Sequence, residues 1–134
     1  YLTGVPFQNE KEIFKKLDAA VAGIAVMTDG PNGVLVSDGY NIYQAGIFGD
    51  EKLVDRTGSG DAFGSGFVAG LIHKQEICEK GLCKVDNIER AIRLGSANAT
   101  SVIEYIGAKK GILTKNEFEL SARWKGLNIT INKN

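Results

Sequence analysis

Histidine is almost missing from this sequence: His73 is the one residue of its kind among 134. A single imidazole would have to serve every general-base role, so neither a Ser-His-Asp nor a Cys-His hydrolytic site is expected. Cysteine is nearly as scarce. Cys78 and Cys83 lie in a Glu- and Lys-rich stretch, and with His73 they amount to at most three soft ligands, too few for a structural zinc centre. They read as reduced thiols. A charge excess is also lacking, since 16 basic residues balance 16 acidic ones. A nucleic-acid surface built on a basic surplus is therefore not expected, and the partner should be a small molecule. No run of about 18 apolar residues is present to cross a bilayer, and the first residues carry neither a basic region nor an apolar signal core. The expected location is cytoplasmic, with no membrane partner.

What the chain has in surplus is glycine. Seventeen residues, about twice the usual ~7%, include five between Gly58 and Gly70, with none of the strict period of collagen. The remainder is globular, 43% hydrophobic and 24% charged with two prolines, and no repeat or linker interrupts it. One continuous α/β unit is the simplest organisation.

Periodicity places the elements. Asn9 and Glu12 have the spacing of a capping box, and Ile13, Phe14, Leu17, Ala20 and Val21 then recur on one face of an amphipathic helix. Gly23 to Thr28 is a short apolar run suited to a strand buried on both faces, which the Asp29-Gly30-Pro31-Asn32-Gly33 cluster ends. Asp38-Gly39 between two β-favouring runs predicts a hairpin. A helix should start at about Gly60, containing Gly64, Gly66 and Gly70. Each costs roughly 1 kcal/mol against alanine, a penalty tolerated where the helix packs closely on the sheet. Asp86 and Glu89 suggest a second capping box, opening a long helix with a small-residue stripe through Ile106 to Gly107. Thr114 and Glu117 suggest a last short helix through Trp124, before a tail from Asn128 that is either strand or frayed.

The chemistry should lie at Gly58-Ser59-Gly60-Asp61. A Gly-Ser-Gly loop opening a helix presents amides without intrahelical acceptors, and the helix dipole adds partial positive charge there. Phosphate is the natural guest. Asp61, in the first turn, puts a carboxylate beside that cradle, where it could take a proton from an attacking hydroxyl; it could equally be an acid favoured at a helix start by the dipole alone. No lysine follows Gly60 or Gly66 as a Walker loop requires, and Gly64-Ser65-Gly66 falls inside the helix, where a dinucleotide fingerprint does not belong.

Residues Asp55-Arg56-Thr57-Gly58-Ser59-Gly60-Asp61-Ala62-Phe63 closely resemble the C-terminal signature of the ribokinase-like, or PfkB, carbohydrate kinases. Thr28 to Gly33 resembles that family's nucleotide loop, and Ala97-Asn98-Ala99 through Gly107-Ala108 its late helix and adenine-side turn; the resemblance covers roughly residues 1 to 113. It implies the C-terminal half of a three-layer α/β/α sandwich and ATP-dependent phosphorylation of a sugar or nucleoside hydroxyl. Asp61 would be the general base and the Gly58, Ser59, Gly60 and Asp61 amides the anion hole. Thr28, Gly30, Gly33 and Asn98 would contact the nucleotide. Mg2+ would accompany ATP, and backbone groups around Asp55, Thr57 and Gly107 match the region that holds a monovalent cation, K+, in many members. The resemblance further implies a homodimer for the full-length protein. Arg56 departs from the signature, which usually has a small residue there, and this counts against the cation site more than against the base.

Members of that family are about twice as long as this chain. Tyr1-Leu2-Thr3-Gly4 resembles the segment just after their Asn-x-x-Glu motif, so residues 1–134 are expected to be the nucleotide-binding and catalytic-base part, without the sugar-binding and lid part and inactive alone. The alternative reading is a non-catalytic nucleotide- or phosphate-binding module.

Overall fold

The hairpin signalled by Asp38-Gly39 stands at the centre of the sheet. Strands β2 (Val34–Ser37) and β3 (Asn41–Ala45) pair antiparallel, with Val36 opposite Tyr43 and Val34 opposite Ala45. The computed structural model describes residues 3–72 and 85–134, so His73, Cys78 and Cys83, and with them the expectation of reduced thiols, lie outside the described residues. The turn takes three residues instead of two because Asp38 organises it from within. Its buried carboxylate accepts the amides of Tyr40 at 2.9 Å and Asn41 at 2.7 Å, and the Tyr43 hydroxyl at 3.1 Å. Burial raises the Asp38 pKa, but the donated amides outweigh it and hold the carboxyl below its ordinary value. Burial, followed by the Asp38 charge, pushes the Tyr43 hydroxyl up to about 12.

Strand β1 (Ala25–Thr28) adds to β2 and strand β4 (Ile129–Lys133) to β3, giving an all-antiparallel order β1-β2-β3-β4. The tail is thus a strand. The Gly23 to Thr28 run does not become a strand buried on both faces: β1 is an edge with one neighbour among the described residues, and Val26 is 38% exposed.

Alternation along the central strands sends side chains into two separate cores. On one face α1 (Glu10–Ala20) packs Phe14, fully buried, against Ala25 and Ile42. On the other, Val34, Val36, Tyr43 and Ala45 meet Phe63 and Phe67 of α2 (Ser59–Leu71) and Ile88, Ala91 and Ile92 of α3 (Val85–Val102). The layers are α/β/α, as expected. Each large apolar side chain so buried is worth roughly 1.5–3 kcal/mol against exposure, which fixes α2 and α3 as one plate over the sheet.

The glycines of α2 serve that plate differently from expectation. A Cβ on Gly66 would lie 2.9 Å from the Leu94 carbonyl oxygen and one on Gly70 2.5 Å from Ala91 Cα, so these two glycines let α2 close on α3, not on the sheet. Gly64 meets nothing within 4 Å.

Caps were less legible than helices. Asn9 makes no side-chain cap bond; its amide instead reaches the Glu12 carboxylate at 2.8 Å. Asp86 lies inside α3 and not before it, and α3 ends at Val102, short of Ile106. The Thr114-Glu117 box does form, opening α4 (Lys115–Leu120). A separate 3-10 turn, Ala122–Lys125, follows and carries Trp124, so the last helix is shorter than expected.

Candidate active site

Thr28 ends β1 and leads into a loop tied shut by its own atoms. The Asp29 amide donates to the Gly33 carbonyl at 2.9 Å, the Asn32 amide to the Asp29 carbonyl at 2.9 Å, and the Asn32 side chain to the Asp29 carboxylate at 2.9 Å. Gly33 leaves this 3-10 turn at φ +100°, where an added Cβ would sit 2.0 Å from the Ala45 carbonyl oxygen. Only glycine lets the loop rest against β3 in that conformation.

The second half of the site is the start of α2. Gly58, left-handed at φ +81°, reverses the chain so that its carbonyl accepts the Ala62 amide at 2.8 Å. A Cβ there would lie 2.4 Å from the Ala108 Cβ, so this turn is seated directly against the segment after α3. Among the described residues the amides of Gly58, Gly60 and Asp61 have no acceptor, and that of Ser59 has only the Arg56 carbonyl at 3.4 Å. Such orphan donors at the positive end of a helix are a standing anion site. Asp61 is exposed, and its carboxylate accepts no hydrogen bond from any described residue.

Asp55 has the opposite environment. One carboxylate oxygen accepts the Thr57 amide at 2.9 Å and the other the Gly107 amide at 3.1 Å. The Thr57 amide, then its side chain and the Gly107 amide, hold the Asp55 carboxyl below its ordinary value. Asp55, Thr57 and Gly107 are therefore brought together by one carboxylate.

Between these halves opens a cavity of about 270 Å³. Thr28, Gly30 and Gly33 form one side, and Arg56, Ser59 and Gly60 another. The sequence reading missed its remaining walls: an irregular segment, residues 46–54, contributing Ile47, Phe48, Asp50 and Leu53, and α3 with the turn just after it, contributing Ser96 and Thr100 and then Ile103. The α3 wall had a legible signal, since Ser96 and Thr100 stand at i and i+4 on one helix face, with Ile103 just past the helix end. The irregular segment had none. Asn98 does not line the cavity. It is buried on α3, where its side-chain oxygen accepts the Leu113 amide at 3.0 Å.

The chain matches the pfkB family carbohydrate kinase profile over residues 2–115. It belongs to that family. It is 35% identical over 99 residues to the ATP-dependent 6-phosphofructokinase of Thermoanaerobacterium thermosaccharolyticum, a match covering 74% of this chain and 27% of that protein. It is 33% identical over 101 residues to the cytidine kinase of Thermococcus kodakarensis, covering 75% of the chain and 32% of the relative. This pfkB chain thus spans about a third or less of the length of these curated relatives. Among solved structures it is similar to a probable sugar kinase from Rhizobium etli, with a TM-score of 0.61 at 27% identity over 76% of this chain and 28% of that one. A ligand-free nucleoside kinase from Burkholderia thailandensis shares the fold, with a TM-score of 0.62 at 23% identity over 89% of this chain and 37% of the other. The ribokinase-like α/β fold anticipated from the sequence is the fold of this pfkB chain.

Proposed function

We propose that this pfkB family member catalyses ATP-dependent phosphorylation of a sugar or nucleoside hydroxyl, with Asp61 as general base. The observation that carries the reading is the pairing of unpartnered amides at the start of α2 with an exposed carboxylate, Asp61, in its first turn. The acceptor oxygen attacks the γ-phosphorus, its proton passes to the Asp61 carboxylate, the bond from the γ-phosphorus to the bridging oxygen breaks, and ADP leaves. The Gly58, Ser59, Gly60 and Asp61 amides stabilise charge on the phosphoryl oxygens in the transition state. Thr28, Gly30 and Gly33 line the nucleotide, and Arg56, with no carboxylate partner among the described residues, adds positive charge beside Ser59 and Gly60.

Magnesium supplies charge neutralisation on the phosphates when bound. Among the described residues no group of three or more His, Cys, Asp or Glu could hold a metal ion, so these residues do not form a cage for it. That suits an ion carried mainly by nucleotide oxygens and water. A monovalent cation would be held by backbone carbonyls around Asp55, Thr57 and Gly107, a segment that the Asp55 carboxylate ties together through the Thr57 and Gly107 amides. Residues 1–134 are the proposed nucleotide and base part, with acceptor and lid contacts supplied from outside them; alone they are expected to bind ATP without turnover.

The test is to incubate the intact protein with ATP, Mg2+ and separate sugars, sugar phosphates and nucleosides, and to detect phosphorylated product by mass. Product from at least one acceptor is expected. ATP binding with no product across the panel would favour a non-catalytic nucleotide-binding module.

A further inference from the structure

Residues 46–54 form a wall of the cavity without helix or strand to hold them, so their position depends on what fastens them. Two of the fastenings meet at one side chain. The Arg123 guanidinium donates through Nη2 to the Gly49 carbonyl at 3.0 Å and through both terminal nitrogens to the Glu104 carboxylate, with Nη1 to Oε2 at 3.1 Å. Glu104, 6% exposed, in turn accepts the Glu51 amide at 2.7 Å. The same guanidinium lies over the Trp124 ring at 4.2 Å, and Trp124 meets Phe48, a cavity-lining residue, edge-on at 5.3 Å. The wall is thereby gripped on both flanks of Asp50 by a planar fork that a lysine could not reproduce.

We infer that Arg123, locked by Glu104, is a positioning residue that sets the nucleotide-side wall of the cavity. It rests on the proposal that ATP occupies this cavity. Arg123 does not line the cavity, and the 3-10 turn that carries it lies beyond residues 2–115 matched by the family profile. It acts through Gly49, Phe48 and Glu51 and does not reach Asp61's chemistry. Its loss should weaken nucleotide binding while sparing the phosphoryl-transfer step.

The experiment compares the intact wild-type protein with Arg123→Gln, Glu104→Gln and the milder Arg123→Lys. Steady-state kinetics are run with an acceptor that gives product in the panel described above, alongside ATP binding by calorimetry and thermal unfolding. Arg123→Gln is expected to raise KM and Kd for ATP about tenfold, equivalent to ~1.4 kcal/mol, with Arg123→Lys between it and wild type. The turnover number and the acceptor KM should stay within about twofold. A lowered unfolding temperature with ATP Kd unchanged in Arg123→Lys would overturn the inference and leave Arg123 a purely structural residue. Wild type that binds ATP but transfers nothing would sink the kinase reading alone, because the calorimetric comparison still judges Arg123; wild type that binds no ATP would overturn both.

Discussion

Asp55 and Asp61 stand six residues apart, one in the loop before α2 and one in its first turn, and are held in opposite ways. Asp55 is engaged at both oxygens: each takes a backbone amide, one local and one from Gly107 across the fold. Asp61 accepts nothing from any described residue, although it lies among orphan amides of its own helix start. A carboxylate whose oxygens both accept amides acts as a fastening, whereas an exposed one that accepts none can exchange a proton with a substrate. The contrast fits an anchoring role for the first and the proposed base role for the second, and each can be broken separately.

The largest effect should come from Asp61→Asn. In the intact protein turnover is expected to fall by about 10²–10⁴, the usual worth of a general base, with ATP affinity nearly unchanged. The substitution removes a group that holds no described neighbour in place, so unfolding temperature should barely move. Unchanged turnover would put Asp61 back among ordinary helix-start acids.

Gly58→Ala should follow, and here the loss is structural. The new Cβ would meet the Ala108 Cβ at 2.4 Å in a backbone held at φ +81°, and strain and overpacking each cost roughly 1–3 kcal/mol. The turn would have to leave Ala108, dragging the orphan amides with it, so both the unfolding midpoint and ATP binding should fall. Loss of stability without loss of ATP binding would mean that the amides are not the phosphate cradle.

Asp55→Asn probes the anchor. Its folded pKa is depressed below the ordinary 3.8, so the carboxylate's contribution to stability is fully present above the unfolded value and is lost as pH falls through the folded one. Wild type should therefore melt above the variant at neutral pH, and the gap should close in acid below 3.8. A gap that persists unchanged there would show that the charge on Asp55 does not secure Gly107. Turnover of the variant should fall far less than that of Asp61→Asn.

These two aspartates were not equally legible. The free amides at Gly58, Ser59 and Gly60 have a local meaning, an anion cradle at a helix start, whereas the base role of Asp61 comes only from the resemblance to the pfkB signature. The Asp55 bond to Gly107 spans 52 positions, and no local pattern records such a pairing. The same division runs through the fold. The hairpin, α4's capping box and the amphipathic α1 are written in neighbouring residues, so they could be read. Whether Gly23 to Thr28 was an inner or an edge strand depended on what lies beside it, and an apolar run alone does not say. The irregular wall at residues 46–54 was invisible because its order comes from Glu104 and Arg123, far away in sequence. The Asn98 bond to the Leu113 amide is of the same kind: it is fixed by tertiary structure and no local pattern records it.

The smallest expected effect separates chemistry from packing within α2. Gly66 and Gly70 face α3 closely enough that any Cβ there meets backbone, whereas a Cβ on Gly64 meets nothing within 4 Å. Gly64→Ala should therefore stabilise the protein by about 0.5–1 kcal/mol, since alanine restricts the unfolded chain and is the better helix former. Thermal unfolding measures the gain. Gly64 lies one turn after Asp61, so the variant also asks whether the base needs a pliant first turn. Turnover equal to wild type in a more stable helix would show that α2 is already rigid where Asp61 works. Turnover that falls as stability rises would instead mean that the carboxylate must move to reach its proton, and Asp61's lack of neighbours would then be freedom to swing and not mere openness.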